Sequence, residues 1–278
     1  MNNEWEYYNH ALVPTTAPHV DPDVSCIEDG TIWNLSKEKH LTLLVRWTTD
    51  FDCGAETNWW YLIKDAPFDE ESLSKSSRKH IRQSFKKCRV EMIDPRMHLD
   101  ELYRIYEEAY ARYQNADNKV DYDCFVQGCI EDDSDTEYWA GYEIESGRMI
   151  GYVTVIVSEE FVETCTAKFS TEYMKLRVSD ALYATILKYY LNEKNKKYVT
   201  SGQRSINHIT ESQTYKTDTF GFRKAYCKVH IKYNPKYAWI IRILYPMRKI
   251  INKFDWITLV HQICGVLRLE EIVRNEER

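Results

Sequence analysis

Three stretches of this sequence gather side chains that can move protons or hold anions. Residues 201–210, Ser-Gly-Gln-Arg-Ser-Ile-Asn-His-Ile-Thr, place Arg204, Ser205, His208 and Thr210 in a polar run that leaves a predicted strand and enters a predicted helix. Ligands of open α/β sheets collect outside the carboxyl ends of strands, so a run in that position suits substrate recognition. Residues 72–90 carry Lys75, Arg78, Lys79, Arg82, Lys86, Lys87 and Arg89 with no acidic side chain. Arg78 and Arg82, four apart on one helix face, suit a phosphate or carboxylate of a substrate; a solvated basic face is the plainer alternative. Residues 219–254 hold nine basic side chains and no acidic one, interleaved with Tyr233, Tyr237, Trp239, Tyr245, Phe254 and several isoleucines. That composition suits an anionic membrane surface or a polyanion, or else a helix that docks its Ile and Trp side and shows its lysines to solvent.

The elements that must position these groups follow from period and composition. Pro14, Pro18 and Pro22 predict an extended arm over residues 1–30. Residues 40–48 and 58–64, rich in β-branched and aromatic side chains, predict strands. From residue 70 to 88 acidic residues come first and Lys86 and Lys87 last, the charge order that complements a helix dipole. A short strand at 89–93 follows. Leu102, Ile105, Tyr106, Ala109, Tyr110 and Tyr113 form the stripe of an amphipathic helix, and a second helix is expected over 121–131. Strands at 137–144, 148–157 and 161–169, joined by short connections, predict an antiparallel meander. Then come a helix at 178–192, a strand at 197–200, a helix at 208–217, a strand at 222–233 and helices at 236–252 and 255–268. The organisation expected is an arm and strand extension at 1–66, an α/β core at 67–235 and a helical appendage at 236–278.

Composition bounds the function classes. A chain of 278 residues, 44% hydrophobic and 29% charged, is globular and is neither a disordered tail nor a fibrous repeat. The net charge of −6 argues against a generic electrostatic nucleic-acid binder, although it averages over the basic stretches above. Eight cysteines with no Cys-x-x-Cys pair, and histidines without metal-ligand spacing, predict reduced thiols and no metal site. The acidic, aromatic start lacks the features of a secretory signal. The apolar stretch 237–245 is interrupted by Arg242 and too short to span a bilayer, so a cytoplasmic location is expected. Only nine glycines are present, which matters wherever a backbone must approach a phosphate.

Three stretches carry a resemblance: GRMIGYVTVIV followed by FVETCTAKF, then YMKLRVSDALYATILKYYL, then TESQTYKTDTFGFRKAY. Over residues 138–233 they resemble the GNAT superfamily of acyl-CoA-dependent N-acyltransferases, with further similarity to the Fem-type transferases that use aminoacyl-tRNA. The basic helix at 75–89 extends the Fem-type likeness. The resemblance implies a GNAT-like fold, a mixed central sheet flanked by helices. It implies that acetyl-CoA or another acyl-CoA binds along the strand of Thr166, Lys168 and Phe169. The turn of Arg177, Val178, Ser179, Asp180 and Ala181 would hold the diphosphate, with Thr210 where the family often has Asn. The family's turn carries glycines where Arg177 and Ser179 stand here. A helix N-terminus still offers unpaired backbone N–H groups to a phosphate, and an ordinary helix start fits the same residues.

In the reaction so implied, a neutral amine attacks a thioester, and the protein accepts a proton and stabilises an oxyanion through a backbone N–H near residues 166–168. His208 is the first candidate base, with Glu163 and Glu143 next, and Tyr215 lies two residues before the place of the family's general acid. Arg78, Arg82, Arg204 and Ser205 are the candidate substrate contacts. The expected activity is transfer of an acetyl or other acyl group to a primary amine, such as an amino sugar or a cell-envelope precursor. A Fem-type aminoacyl transferase, whose basic segments would meet tRNA, and a non-catalytic scaffold on a degenerate acyltransferase fold are the alternatives.

Overall fold

A computed structural model describes residues 4–35, 41–112, 119–131, 135–206 and 211–276. The chain opens with strands β1 (Trp5–Tyr8) and β2 (Ala11–Pro14), a helical turn α1 (Ser25–Glu28), then β3 (Leu44–Thr49) and β4 (Trp59–Lys64). Helix α2 (Lys75–Phe85), β5 (Cys88–Ile93), α3 (Leu99–Tyr110) and α4 (Tyr122–Glu131) precede a meander of β6 (Thr136–Glu143), β7 (Met149–Val157) and β8 (Phe161–Phe169). Then follow α5 (Val178–Leu187), β9 (Tyr198–Gln203), α6 (Glu211–Phe220) and β10 (Arg223–Tyr233). The chain closes on α7 (Ala238–Leu244), α8 (Arg248–Ile251) and α9 (Thr258–Glu276). The result is the mixed α/β, GNAT-like architecture expected from the order of elements.

By contacts the chain forms two compact units, 1–61 with 203–210 and 224–278, and 62–202 with 211–223. In the first unit the strands follow the order β1-β2-β3-β10, with β2 parallel to β3 and β3 antiparallel to β10. Residues 4–30 are not the extended arm that the prolines predict. Asn9 (φ 46°) and His10 (φ 65°) both adopt the left-handed conformation, making the two-residue turn whose twist matches paired strands, and β1 and β2 close into a hairpin. Trp5, Leu12, Ile27, Ile32 and Val45 then form a small core. The prolines fall at the end of β2 and beyond it, where no ladder bond is lost.

The second unit has the strand order β4-β9-β8-β7-β6-β5. β5 to β8 pair antiparallel, and β9 returns parallel to β8 after the α5 crossover. Successive residues of β6 point to opposite faces: Trp139 joins the core built with α2 and α5, while Tyr138 and Ala140 join the core under α3 and α4. Both faces are covered, which is why these strands read as nearly continuous apolar runs. Glycine has a definite task here. Gly141 and Gly151 are cross-strand partners, and a Cβ on Gly141 would lie 2.3 Å from Val178 Cγ2 while one on Gly151 would lie 2.8 Å from Phe169 Cδ1 and 3.1 Å from Val178 Cγ1. The pair forms a hollow that seats the first turn of α5 on the sheet. The scarce glycines sit beneath the turn and not in it.

Candidate functional site

β8 and β9 pair as parallel strands from Phe161↔Tyr198 to Glu163↔Thr200, and no further partners follow. Their carboxyl ends therefore part, producing the opening between parallel strands where α/β sheets receive ligands. The side chain that reaches into this opening is Lys216, from α6. Its Nζ donates to Thr164 Oγ1 at 3.2 Å and to Ser201 Oγ at 2.5 Å, one hydroxyl from each parting strand, and lies 4.8 Å from the centre of the Tyr183 ring. Lys216 is 4% exposed and makes no ion pair with any described carboxylate. Burial pulls its pKa down to about 8, opposed in part by the Glu163 carboxylate nearby. It is a cation at neutral pH, in a medium where a charge acts strongly.

Sequence reasoning passed over Lys216, yet a signal exists. α6 is nearly all polar, and its buried positions are Lys216 and Phe220, four apart. A lysine one turn before a helix's main apolar anchor shares that anchor's inward face.

Around the opening, β8 carries an irregularity. Val153 pairs with Ala167 and Val155 with Thr164, so Cys165 and Thr166 together oppose Thr154. Such a bulge re-aims side chains. Thr164 points to Lys216, while Cys165 and Thr166 line a cleft of about 240 Å³ with Thr136, Thr154, Ile156 and the rings of Tyr106, Phe125, Tyr138 and Tyr152. The backbone N–H of Thr166, an expected oxyanion donor, donates to Thr154 Oγ1 at 3.0 Å. Lys168 Nζ lies 4.3 Å from the Tyr110 ring centre and 5.9 Å from that of Tyr106, and burial lowers its pKa. Phe169 packs against the α5 side of the sheet. Glu163 lies beside Gly202, whose φ of +76° and neighbouring carboxylate leave little room for a side chain.

The α5 turn is built differently. Arg177 adopts the left-handed conformation (φ 60°) that elsewhere favours glycine, and Val178 to Ala181 begin the helix. The Asp180 carboxylate turns inward and is 2% exposed. It accepts a hydrogen bond from the Tyr215 hydroxyl and faces the Arg177 guanidinium at 3.7 Å. Tyr215 also lies 3.2 Å from Ser179 Oγ, and burial with the Asp180 charge drives its pKa well above the usual phenol range. The hydroxyl expected as a general acid is thus engaged in anchoring the turn. Asp180 ties α5 to α6.

The remaining candidates divide. Arg78 and Arg82 do sit on one face of α2, but Arg78 bonds Glu71 and Arg82 bonds both Glu70 and Glu71. Arg204 and Ser205 belong to the first unit, where Arg204 donates to the Asn58 carbonyl at 2.5 Å and stacks 4.6 Å over the Trp60 ring. His208 and Thr210 lie outside the described residues. Within the second unit, the fold brings Glu163 and Thr166 into the neighbourhood of the Lys216 opening, and Arg177, Val178, Ser179, Asp180 and Ala181 into a separate cluster with Tyr215. Among the described residues no group of His, Cys, Asp and Glu is arranged to hold a metal. No described helix is long and apolar enough to cross a membrane.

No protein-family model matches this sequence, and no curated protein is significantly similar to it. Solved structures share its fold. FemX aligns over 83% of this chain and 82% of its own with a TM-score of 0.57 at 9% identity. The C-terminal domain of a protein assigned as a lysylphosphatidylglycerol synthetase from Agrobacterium fabrum aligns over 84% and 82% with a TM-score of 0.53, also at 9% identity. What this chain shares with both is the GNAT-like fold, extending well beyond the 138–233 core in which the sequence resemblance lies.

Proposed function

We propose that this protein is an acyltransferase that carries an acyl group from an activated carrier to an amine, with the reacting carbonyl at the opening between β8 and β9. The observation that carries this reading is Lys216, a buried ammonium held by two hydroxyls and a ring, with Glu163 near it. Burying a charge with no direct ion pair costs stability, and such a cost is tolerated where the charge has work to do. When an amine attacks an ester or thioester, negative charge develops on the carbonyl oxygen. A fixed cation relayed through the half-exposed Ser201 hydroxyl stabilises that oxygen without reorganising at the moment of reaction. Glu163, whose charge acts on Lys216, is the candidate to accept the amine proton and pass it to the departing ribose oxygen or thiolate. The aromatic cleft on the far side of the bulge suits the side chain of the transferred group.

Of the possible carriers, an aminoacyl-tRNA fits better than an acyl-CoA. Lys216 bridges the parting strands through Thr164 and Ser201, so a pantetheine arm threading between them would have to displace it. An ester presented from outside need not thread. The likeness to FemX and to the lysylphosphatidylglycerol synthetase domain across most of each chain supports the same choice. Acyl-CoA is the second reading, favoured by the left-handed Arg177 at the N-terminus of α5, where Arg177, Val178, Ser179 and Ala181 would hold the diphosphate.

The test supplies the full chain with labelled aminoacyl-tRNAs and, separately, acetyl-CoA, together with amino sugars and cell-envelope amines. Transfer from tRNA that vanishes in Lys216→Met is the expected result. Transfer from acetyl-CoA, with a rise in melting temperature on adding it, would select the second reading. Binding of neither carrier, with Lys216→Met indistinguishable from the parent, would overturn both in favour of a scaffold.

A further inference from the structure

After β10 the chain winds through an almost unbroken helical run, α7, a 3₁₀ turn at Tyr245–Met247, α8 and a second 3₁₀ turn at Asn252–Phe254. Trp239, Ile243, Met247, Ile250, Phe254 and Ile257 follow one another at spacings of 4, 4, 3, 4 and 3, the period of one helix face. In a water-soluble protein such a stripe faces the core. Here all six are exposed, Trp239 and Ile243 by more than half, and Trp256 beside them is 80% exposed. The other face is the one packed: Ile240, Ile241, Leu244, Tyr245 and Ile251 are partly buried, and Arg248 turns to Glu271.

Charge is arranged around this stripe. At about 100° per residue, Arg242, Lys249 and Lys253 fall in an arc adjoining the apolar one, with the docked face behind. They are exposed, and none is in an ion pair with a described carboxylate. Residues 236–254 contain no acidic side chain at all.

We propose that residues 236–257 lie in the plane of an anionic lipid surface, with Trp239, Ile243, Met247, Ile250, Phe254 and Trp256 entering the headgroup boundary and Arg242, Lys249 and Lys253 meeting lipid phosphates. An apolar face beside a cationic flank, with indole rings at its margins, matches the polarity profile of a bilayer interface. Nucleic acid would leave the outermost Ile, Met and Phe without partners, since its surface is phosphate and base edge. A second copy of the chain would bring like cationic flanks together, because a two-fold interface pairs the same patch with itself. The proposal is independent of the acyl carrier and of Lys216.

Flotation of the full chain with phosphatidylcholine vesicles, with and without phosphatidylglycerol, tests it. With three cations at the surface, binding to the anionic vesicles is expected to be roughly a hundredfold stronger and to weaken with salt, with a blue shift of tryptophan emission. Ile243→Glu with Ile250→Glu reduces that binding at least about tenfold, as burial of each side chain is lost. Lys249→Glu with Lys253→Glu reduces binding to anionic vesicles alone. All four positions are exposed, so melting curves should be unchanged; if the isoleucine pair fails to fold, the lysine pair decides. Absence of vesicle binding would overturn the proposal. So would salt-sensitive binding to RNA without lipid binding, or a dimer in sedimentation that Ile243→Glu with Ile250→Glu dissociates.

Discussion

Two cationic places in the second unit make opposite use of the same charge. In and just after α2, seven basic residues crowd residues 72–90, and Arg78 and Arg82 are matched by Glu70 and Glu71 at the surface. On α6, one lysine sits in a polar helix, buried, with hydroxyls and a ring in place of a carboxylate. Sequence density draws attention to the first. Physical chemistry favours the second, because exposed ion pairs are nearly neutral in free energy whereas a buried charge without a direct ion pair is costly and strong. Charge signals a site by its environment, not by its abundance.

The largest effect expected from this contrast is on activity. Lys216→Met keeps the volume and removes the cation, and it should lower transfer by a factor of about a hundred to a thousand, as loss of one oxyanion-stabilising group does. Stability at neutral pH should not fall, since the buried charge goes with it. Denaturant titration beside single-turnover transfer checks both; a destabilised variant with intact transfer would make Lys216 structural.

The second effect is on pH dependence. With the native pKa near 8 and the unfolded value at 10.5, the unfolded chain holds one more proton between those limits. Stability therefore rises with pH across that window, by about 3 kcal/mol from this group. Below pH 8 both states carry the proton and the charge-burial cost is present in full. Activity runs the other way, falling as Lys216 loses its charge above pH 8. Urea melts at pH 7.5 and 9.5 should show the rise in the parent and its absence in Lys216→Met.

Packing comes third. Gly141→Ala drives a Cβ into Val178, a β-branched side chain with little freedom, and should cost about 1–3 kcal/mol. Tyr215→Phe removes the donor to the buried Asp180 and should cost a similar amount, about 1–3 kcal/mol, loosening the start of α5. Hydrogen exchange at β6 separates the two, since only Gly141→Ala also disturbs that strand. Smallest of all, Arg78→Ala and Arg82→Ala should leave stability and transfer unchanged within error. A clear loss of transfer in either would restore α2 as a substrate contact and reverse the comparison.

Much of the architecture was legible. The stripe from Leu102 to Tyr110 predicted α3, and the meander strands fall within a residue or so of their expected places because apolar runs bounded by short turns have few other solutions. The β1–β2 hairpin was not, since Asn9-His10 is not a strong turn pair and the prolines beyond it suggest irregular chain. Of the candidate residues, Thr166 and Glu163 were read from their strand, and the structure places both on β8 near the opening. Lys216 was missed because one lysine in a polar helix looks solvated until the helix's inward face is known.

By itself, then, this sequence determined which segments become helix and strand and in what order, because period and turn chemistry are local. It also determined the charge segregation that the net −6 conceals. Only the tertiary structure decided that Asp180 faces inward, that the α2 arginines are matched by glutamates, and that the helical run from 238 to 254 turns its apolar stripe outward. These are facts about which face meets a neighbour, and they depend on how one element turns against another, whether the partners are a dozen residues away, as for the arginines, or far along the chain, as for Asp180 and Tyr215. Lys216 joins them: its meaning comes from two strands that part at Glu163 and Thr200, more than a dozen residues from it along the chain.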